Sequence, residues 1–324
     1  MSLSPEDAKK IGGSDVAAIV GVSPYAGPLS VWCRIVHGAD SPDNAHTGRG
    51  RRLEPVVLDW YRETTGHLVE EGVRLRDPRR PYVRGSLDAI ASNGPWNPRV
   101  VEVKTANASQ MGYWGDEGTD AIPPWYLAQV HFYLGFGRET GVVSDDVADV
   151  PALIAGDFRL YHVRHDAEVY AALSEAVDRF WVDHVLPRRP PEPTPLPRDL
   201  ESVSRAFRRS EGGAVDFASL PPETQVVLEE YLRAWEEESA AADRRALWEA
   251  RTKLALGSVP AVRGLPLGFS SLSWGEQGGK TQWKRVAEAL AKNHGLEKQL
   301  RALVAENTGE ASRPFTPRKT RKKT

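Results

Sequence analysis

The sequence predicts an α/β protein, with a central mixed β-sheet flanked by helices and then a mostly helical C-terminal region. Three observations predict this class. Short runs rich in β-branched residues alternate with helical segments as far as residue 185. Six prolines fall between residues 187 and 197, which is typical of a stiff connector. Beyond them, residues 221–256 are rich in Ala and Glu and show no strand pattern.

Individual elements follow from apolar periodicity and from the residues that start and stop helices. Ser14 is the predicted N-cap of a helix that ends at Gly21. The other predicted helices cover residues 30–38, 54–65, 125–135, 166–185, 221–256 and 283–306. Strands are predicted at residues 67–75, 83–91, 99–105, 142–147 and 158–163, with a hairpin at residues 259–274.

The proline-rich connector divides the predicted organisation. Residues 1–190 form the predicted α/β domain, and residues 191–312 form the mostly helical C-terminal region with the hairpin. Residues 313–324 contain six basic residues and no acidic one, and this composition predicts a disordered tail.

Charge and cysteine usage exclude several classes of protein. The chain of 324 residues has a formal net charge of −2, so without the six positive charges of the tail the remainder carries −8. Nucleic-acid binding would therefore depend on local basic patches. The single cysteine excludes an internal disulfide and a four-cysteine zinc or iron–sulfur site. No apolar run approaches the roughly 20 residues of a membrane helix, and no secretory signal is evident, so a cytoplasmic location is expected.

Two acidic residues and a lysine form the most informative pattern. In a strand over residues 99–105, Glu102 and Lys104 point to the same face, and a hairpin turn would bring Asp88 beside them. Paired carboxylates are hard oxygen ligands suited to Mg²⁺ or Mn²⁺, and a neighbouring lysine could face a hydrolytic water or a phosphate. The alternative is ordinary alternation of charges on a solvent-facing strand.

Five motifs in order resemble a known family. They are Ile-Gly-Gly-Ser-Asp-Val-Ala-Ala-Ile-Val-Gly at residues 11–21, Gly-Arg-Arg-Leu-Glu-Pro at 50–55, Gly-Ser-Leu-Asp at 85–88, Val-Glu-Val-Lys at 101–104 and Tyr-Leu-Ala-Gln-Val at 126–130. Together they resemble the YqaJ-type viral recombinases, which are grouped with lambda exonuclease in the PD-(D/E)xK nuclease superfamily. The resemblance implies that residues 1–190 have the PD-(D/E)xK core fold.

This resemblance implies a role for each matching residue. Asp88 and Glu102 would be direct Mg²⁺ ligands, helped by the backbone carbonyl of Val103. Glu54 would complete or orient the metal site, although an acid in the first turn of a helix is also favoured by the helix dipole. Lys104 would position or activate the attacking water.

Gln129 would form a hydrogen bond near the lysine or a DNA phosphate, unless it is only a polar residue on an exposed helix face.

Other residues match positions that hold DNA in the family. Ser14 and Ser86 correspond to residues that bind a terminal 5′-phosphate, and a capping role for Ser14 is compatible with this. The arginine that the family usually has four residues before the first motif is Asp7 here, so a strict requirement for a 5′-phosphate is not expected. Arg51 and Arg52 belong to a basic cluster with Arg49, and a second cluster comprises Arg74, Arg76, Arg79, Arg80 and Arg84. The alternative is that both clusters are ordinary solvated faces. Because they lie beside the implied metal ligands, both clusters are expected to contact phosphates.

The implied function is an Mg²⁺-dependent exonuclease. It would degrade one strand of linear double-stranded DNA from 5′ to 3′ and leave 3′ single strands for recombination, in a bacterial or phage-infected cell. The implied partners are double-stranded DNA ends, a RecT-type single-strand annealing protein and further copies of the chain in a ring. The alternatives are a structure- or site-specific endonuclease of the same fold and a non-catalytic DNA-binding or assembly subunit.

Overall fold

We describe a computed structural model of the chain. The structure describes residues 10–39, 45–94, 97–209, 213–267, 269, 271–273 and 283–306. The predicted basic tail and Asp7 lie outside these residues. The chain divides into two compact units, residues 1–208 and 209–324, and each is described by itself.

The first unit is built on a mixed sheet. Its strands are β1 (Leu68–Glu71), β4 (Ala89–Ser92), β5 (Arg99–Val101), β6 (Lys104–Ala106), β7 (Val147–Ile154) and β8 (Asp157–Arg164), and a separate small ladder joins β2 (Arg74–Arg76) to β3 (Arg84–Ser86). β1, β4, β5 and β7 are neighbours in that order, and β8 flanks β7 on its other side. Both β5 and β6 run parallel to β7, whereas the other pairs are antiparallel. The predicted central mixed sheet is therefore confirmed.

Helices cover both faces of this sheet. They are α1 (Gly13–Ile19), α2 (Pro28–His37), α3 (Ala45–Thr65), α4 (Pro124–Glu139), α5 (Ala167–Phe180) and α6 (Pro197–Ala206). Val57, Leu58 and Tyr61 of α3 pack against alternate residues of β4 and β5, including Ala89 and Val101. A second, larger cluster joins α1, α2, α4 and α5 to the sheet, with Val100 and Val150 at its centre. Strand alternation explains why Val100 and Val101 belong to different clusters.

The predicted strands are shorter and more interrupted than the sequence pattern indicates. Each of the first three breaks into two, at residues 72–73, 87–88 and 102–103. The prediction of a strand at residues 142–147 was wrong, because that strand is β7 and begins only at Val147. The amides of Val142 and Val143 instead donate to the carbonyl of Gly137 and close the end of α4 (both N–O distances 3.0 Å). A helix end that buries Val143 thus resembles a strand in sequence.

The starts of α1 and α3 also differ from the predictions. Gly12, not Ser14, is the N-cap of α1, and its amide donates to the carboxylate of Asp15 (2.7 Å). α3 begins at Ala45 and continues through Pro55, whereas the sequence predicts its start at Glu54. The prediction rested on the helical spacing of Val57, Leu58 and Tyr61, and the polar residues before Glu54 lack this apolar spacing.

Asp199 ties the segment after the prolines to the first unit. The residue is 1% exposed, and its Oδ1 atom accepts hydrogen bonds from the amides of Gly27 and Ser30 at the start of α2 (2.9 and 3.2 Å). Its Oδ2 atom accepts from the amide and hydroxyl of Thr194 (2.9 and 2.7 Å). Helix α6, which the sequence assigns to the C-terminal region, therefore lies within the first compact unit.

In the described part of the second unit, a short 3-10 helix at Phe217–Ser219 precedes one long α-helix, a hairpin and two short α-helices. They are α7 (Pro222–Leu256), β9 (Ala261–Arg263) paired with β10 (Ser271–Ser273), α8 (Trp283–His294) and α9 (Glu297–Glu306). The single helix predicted at residues 283–306 is divided at Gly295, whose positive φ of 65° ends α8. Within the described part of the chain, no helix has the length and apolar character needed to cross a membrane.

Gly135 allows α4 and α5 to approach closely, and its substitution gives a testable prediction. A Cβ atom at this position would lie 2.2 Å from the ring of Tyr170. We expect Gly135→Ala to lower the free energy of unfolding by about 1–3 kcal/mol, because the packed ring has to shift. Urea unfolding followed by circular dichroism measures the change. Gly48→Ala is the matched control, since this site in α3 has nothing within 4 Å and alanine should stabilise it by about 0.5–1 kcal/mol. Equal effects of the two variants would contradict the prediction.

Candidate active site

The candidate site lies where two paired strands break. Ala89 of β4 is opposite Val101 of β5, so Asp88 and Glu102 follow as neighbours beyond the ladder. The amide of Val103 donates to Oδ2 of Asp88 (2.8 Å), and the amide of Glu102 donates to the carbonyl of Asp149 on β7 (3.0 Å). The break therefore turns the Val103 amide toward a carboxylate, while the Glu102 amide continues the pairing of β5 with β7.

Lys104, Glu102 and Gln129 form a closed polar cluster. The Lys104 Nζ atom donates to Oε1 of Glu102 (2.6 Å) and to Oε1 of Gln129 (3.1 Å), while Nε2 of Gln129 donates to the same Glu102 oxygen (2.6 Å). Glu102 is 3% exposed and Lys104 is 9% exposed. The ammonium also lies 4.8 Å from the ring centroid of Tyr126, a cation–π distance. The predicted proximity of Glu102 and Lys104 is confirmed. Gln129 is not merely a polar residue on an exposed helix face, because it forms hydrogen bonds with both of them.

Burial raises the pKa of the acidic groups of the site. Burial, followed by repulsion from Asp88 and opposed by Lys104, raises the pKa of Glu102 to about 8. Burial also raises the pKa of Asp88, against the opposing effects of Lys104 and the Val103 amide. For Glu54 the causes are burial and then Asp88, which places this α3 residue within electrostatic range of the strand break. Three carboxylates thus share a site that favours a positive charge.

Lys104 stays protonated in this environment. Burial acts to lower its pKa, but the Glu102 and Asp88 carboxylates outweigh burial, so the pKa is raised. The residue is therefore a fixed positive charge at neutral pH.

Tyr133 is a site residue that the sequence analysis missed. It is buried on α4 four residues after Gln129, so Tyr126, Gln129 and Tyr133 share one helix face. The pKa of its phenol is raised, first by burial and then by the nearby Glu102 and Asp88, while a hydrogen bond from the Ser86 amide acts to lower it. The helical spacing from Gln129 was the signal that could have found it.

The predicted DNA-binding residues lie on the surface around the site. Ser14 is exposed on α1, and Ser86 is exposed at the end of β3. These segments are adjacent, since Ile11 and Val83 form a parallel bridge. Arg51 and Arg52 are exposed on α3, in the turn before Glu54.

One arginine of the second basic cluster has a structural role instead, which corrects the expectation for it. Arg80 is 11% exposed at its side chain and contacts Asp77, Glu139, Ser174 and Tyr170, so it does not provide a phosphate-binding surface. Arg79 pairs with Asp77 and Glu139 (3.1 and 2.8 Å), but its side chain is 69% exposed, and a phosphate contact by Arg79 stays a prediction.

The side chains at the strand break offer oxygen atoms of the kind that a divalent cation requires. Among the described residues, no three His, Cys, Asp or Glu side chains converge into a group that could hold an ion by themselves. Mg²⁺ commonly uses only one or two carboxylates and keeps several waters as ligands. The carboxylates of Asp88 and Glu102 are therefore the type and number of protein ligands that Mg²⁺ needs. The Oε2 atom of Glu102 is buried, and within the described structure it has no hydrogen-bond partner. An unsatisfied buried carboxylate oxygen is costly, and a cation would satisfy it.

Fold and site together form one arrangement. A mixed sheet with helices on both faces carries an aspartate at one strand break and a Glu-x-Lys pair at the next. This arrangement agrees with the PD-(D/E)xK core fold that the resemblance of the five motifs implies.

Comparison with known proteins identifies the family that this part of the chain resembles. Residues 7–141 match the model of the YqaJ-like viral recombinase domain. The chain is also 28% identical over 188 residues to the uncharacterised protein YqaJ of Bacillus subtilis strain 168, a match that covers 56% of this chain and 55% of YqaJ. The chain thus spans about half the length of that relative. These matches confirm the resemblance identified from the five motifs.

Two of the solved structures that are similar to part of this chain are bacterial exonucleases. The alkaline exonuclease LHK-Exo of Laribacter hongkongensis is 18% identical, with a TM-score of 0.43 over 55% of this chain and 88% of the exonuclease. A phage-related exonuclease from Haemophilus somnus 129PT is 14% identical, with a TM-score of 0.40 over 55% of this chain and 96% of that protein.

The raised pKa of Glu102 predicts a pH-dependent stability in the absence of metal. Between the ordinary value of 4.5 and about 8, the unfolded chain loses this proton while the folded protein keeps it. Stability contributed by the neutral carboxyl is therefore lost as pH rises through this window. We expect the melting temperature in EDTA to fall in the parent protein relative to Glu102→Gln over the same range. Differential scanning fluorimetry measures this, with Glu63→Gln, an exposed acid on α3, as control. Parallel curves for the parent and Glu102→Gln would contradict the prediction.

Proposed function

We propose that this protein is a deoxyribonuclease that hydrolyses phosphodiester bonds at the strand break between β5 and β6. The observation that carries the proposal is the buried cluster of Glu102, Lys104 and Gln129 beside Asp88. Burying an ammonium and a carboxylate is costly, and such clusters occur most often where chemistry requires them. The match of residues 7–141 to a viral recombinase domain supports the same function.

The proposed cofactor is Mg²⁺, with Mn²⁺ as a substitute. Asp88, Glu102 and the Val103 carbonyl would hold the ion, and Glu54 would complete or orient its shell. When bound, the ion would acidify a water and offset charge that develops on the scissile phosphate. The unpartnered Oε2 atom of Glu102 supports this assignment.

The protein side chains divide the remaining work. Lys104 carries a permanent positive charge, so it would orient the attacking water and the scissile phosphate rather than accept a proton. Gln129 binds both Lys104 and Glu102 and would fix their relative orientation. Tyr126 lies against the ammonium and would keep it from rotating toward solvent.

The proposed substrate is the end of linear double-stranded DNA. One strand would be degraded from 5′ to 3′, leaving a 3′ single strand for recombination. Ser14 and Ser86 would contact the 5′ end, and Arg51 and Arg52 would contact the backbone before Glu54. The exposure of Ser14 and Ser86 on adjacent segments, and the exposure of Arg51 and Arg52 on α3, support this arrangement.

The proposed partners follow from the resemblance to the viral recombinases. They are a RecT-type annealing protein, which would receive the 3′ single strand, and further copies of this chain in a ring around DNA. The proposed location is the cytoplasm of a bacterial or phage-infected cell.

Digestion of matched DNA substrates tests the proposal. Linear duplexes with a 5′-phosphate or a 5′-hydroxyl, labelled at either end, are compared with closed circular DNA in Mg²⁺ or EDTA. We expect Mg²⁺-dependent loss of both linear duplexes, survival of the circle, and release of nucleotides from the 5′ end.

Other outcomes would contradict parts of the proposal. Cutting of the circle would identify an endonuclease, and release from the 3′ end would reverse the polarity. DNA binding without any cleavage would identify a non-catalytic subunit.

A further inference from the structure

The second half of α7 carries an exposed tryptophan among basic residues. Trp248 is 60% exposed, although indole side chains are usually well buried. Residues 244–253 include four basic residues and one acidic residue, whereas residues 223–238 include one basic and six acidic residues. Positive charge is therefore concentrated on the part of the helix that contains Trp248.

The helix places four polar side chains around the indole. They are three or four positions from Trp248, so they share its side of α7: Arg244, Arg245, Arg251 and Thr252. The guanidinium carbon of Arg251 lies 4.8 Å from the ring centroid of Trp248, which is a cation–π contact. This contact restrains the indole while most of its surface stays exposed.

Trp248 also borders a cavity of about 540 Å³ within the second unit. Arg245 and Leu256 of α7 and Leu272 and Ser273 of β10 line the same cavity, but Arg251 does not. The guanidinium that contacts the ring is thus not among the residues that line the cavity. Pockets of about 300–1,000 Å³ accommodate ligands of nucleotide size.

One acidic residue also lines the cavity. Glu249 accepts a hydrogen bond from Lys253, another lining residue, with an Nζ–Oε1 distance of 2.5 Å. These two charges offset each other, so the charge that the cavity presents to an anion is that of Arg245.

We propose that this cavity binds single-stranded DNA. An unpaired base would stack on Trp248, and the adjacent phosphate would contact Arg245. An exposed aromatic ring flanked by cations is the combination that binds single strands without sequence preference. A protein partner would require the apolar surface but not the concentration of arginines. The choice of DNA as the nucleic acid rests on the proposed nuclease function, while the binding chemistry does not depend on cleavage.

Fluorescence anisotropy of labelled dT20 with the full chain in EDTA tests this inference. We expect Trp248→Leu to weaken binding by about 5- to 150-fold, the range for loss of one stacked base. Trp248→Phe keeps an aromatic face and should stay within about threefold of the parent. Arg245→Gln should reduce the slope of log K against log salt by about 0.7, as expected for one lost phosphate contact on a single strand.

Controls separate this site from the proposed active site. Val227→Ala changes an exposed apolar residue in the acidic half of α7 and should leave dT20 binding unchanged. Trp248→Leu should cleave a short blunt duplex in Mg²⁺ as fast as the parent protein. The parent protein could fail to cleave any DNA and still bind dT20 through Trp248. That result would contradict the proposed function and support the binding site.

Four results would overturn the inference. The first is that Trp248→Leu binds dT20 as tightly as the parent protein, and the second is that Trp248→Phe loses as much affinity for dT20 as Trp248→Leu does. The third is that Trp248→Leu loses as much affinity for a blunt duplex as for dT20. The fourth is that the parent protein binds rU20 more tightly than dT20. Unchanged dT20 binding with an altered mass in light scattering would assign Trp248 to a protein contact instead.

Discussion

Replacing Lys104 with alanine is expected to slow DNA hydrolysis by about 10²- to 10⁴-fold, the range for loss of a positioned polar or charged group in an active site. The ammonium lies 2.6 Å from Glu102 and 3.1 Å from Gln129, and its raised pKa keeps it charged. Its removal takes away the fixed positive charge that would face the attacking water and the phosphate. Initial rates at saturating DNA and Mg²⁺ measure the effect, and anisotropy in EDTA should show that DNA binding is kept.

Two further variants make this result specific. Lys104→Arg keeps the charge but not the compact ammonium that fits between Glu102 and Gln129, so its rate should stay low. Lys292→Ala, an exposed lysine on α8, should cleave like the parent protein. If Lys104→Ala retained more than about a tenth of the parent rate, Lys104 would not belong to the reaction.

Replacing Asp149 with alanine is expected to lower the free energy of unfolding by about 3–5 kcal/mol, the cost of breaking a buried ion pair. Asp149 is 0% exposed on β7. Its carboxylate accepts a hydrogen bond from the Tyr61 hydroxyl (2.5 Å) and contacts Arg99 (3.2 Å) and Nδ1 of His162 (2.8 Å). Alanine would leave the Tyr61 hydroxyl and the partly buried Arg99 guanidinium without this acceptor. Urea unfolding followed by circular dichroism measures the loss.

A surface ion pair between the residue before β7 and the end of β8 provides the control for Asp149. Asp146 pairs with Arg164, and both side chains are more than half exposed. Its removal should cost only about 0–1 kcal/mol, because solvent screens the pair. Similar losses for Asp146→Ala and Asp149→Ala would mean that the buried network adds nothing to stability.

The sequence predicted the central part of the candidate site because that part depends on local geometry. Strand alternation is sufficient to put Glu102 and Lys104 on one face, and a short hairpin is sufficient to bring Asp88 next to them. The family motifs added Gln129. This residue lies on helix α4 and not on the strands, so strand periodicity alone does not predict that it is near Glu102 and Lys104. These four residues meet in the structure, and their roles remain a prediction.

Residues whose importance depends on tertiary contacts were not predictable in this way. Asp149 lies in an apolar strand, and only the fold reveals that Tyr61, Arg99 and His162 converge on it. In the sequence, Tyr133 is indistinguishable from the other aromatic residues of a buried helix. Only the fold shows that Ser86, Glu102 and Asp88 lie near it. Ser14 was assigned as a cap by residue type, whereas the backbone geometry selects Gly12.

The contacts of Asp199 determine how short an independently folding fragment can be. Cutting the chain at the proline-rich connector would remove the acceptor for two amides at the start of α2 and expose the surface that α6 covers. A truncated version used for biochemistry should therefore extend through residue 208. The proline-rich connector would then be held by folded structure on both sides instead of forming the chain end.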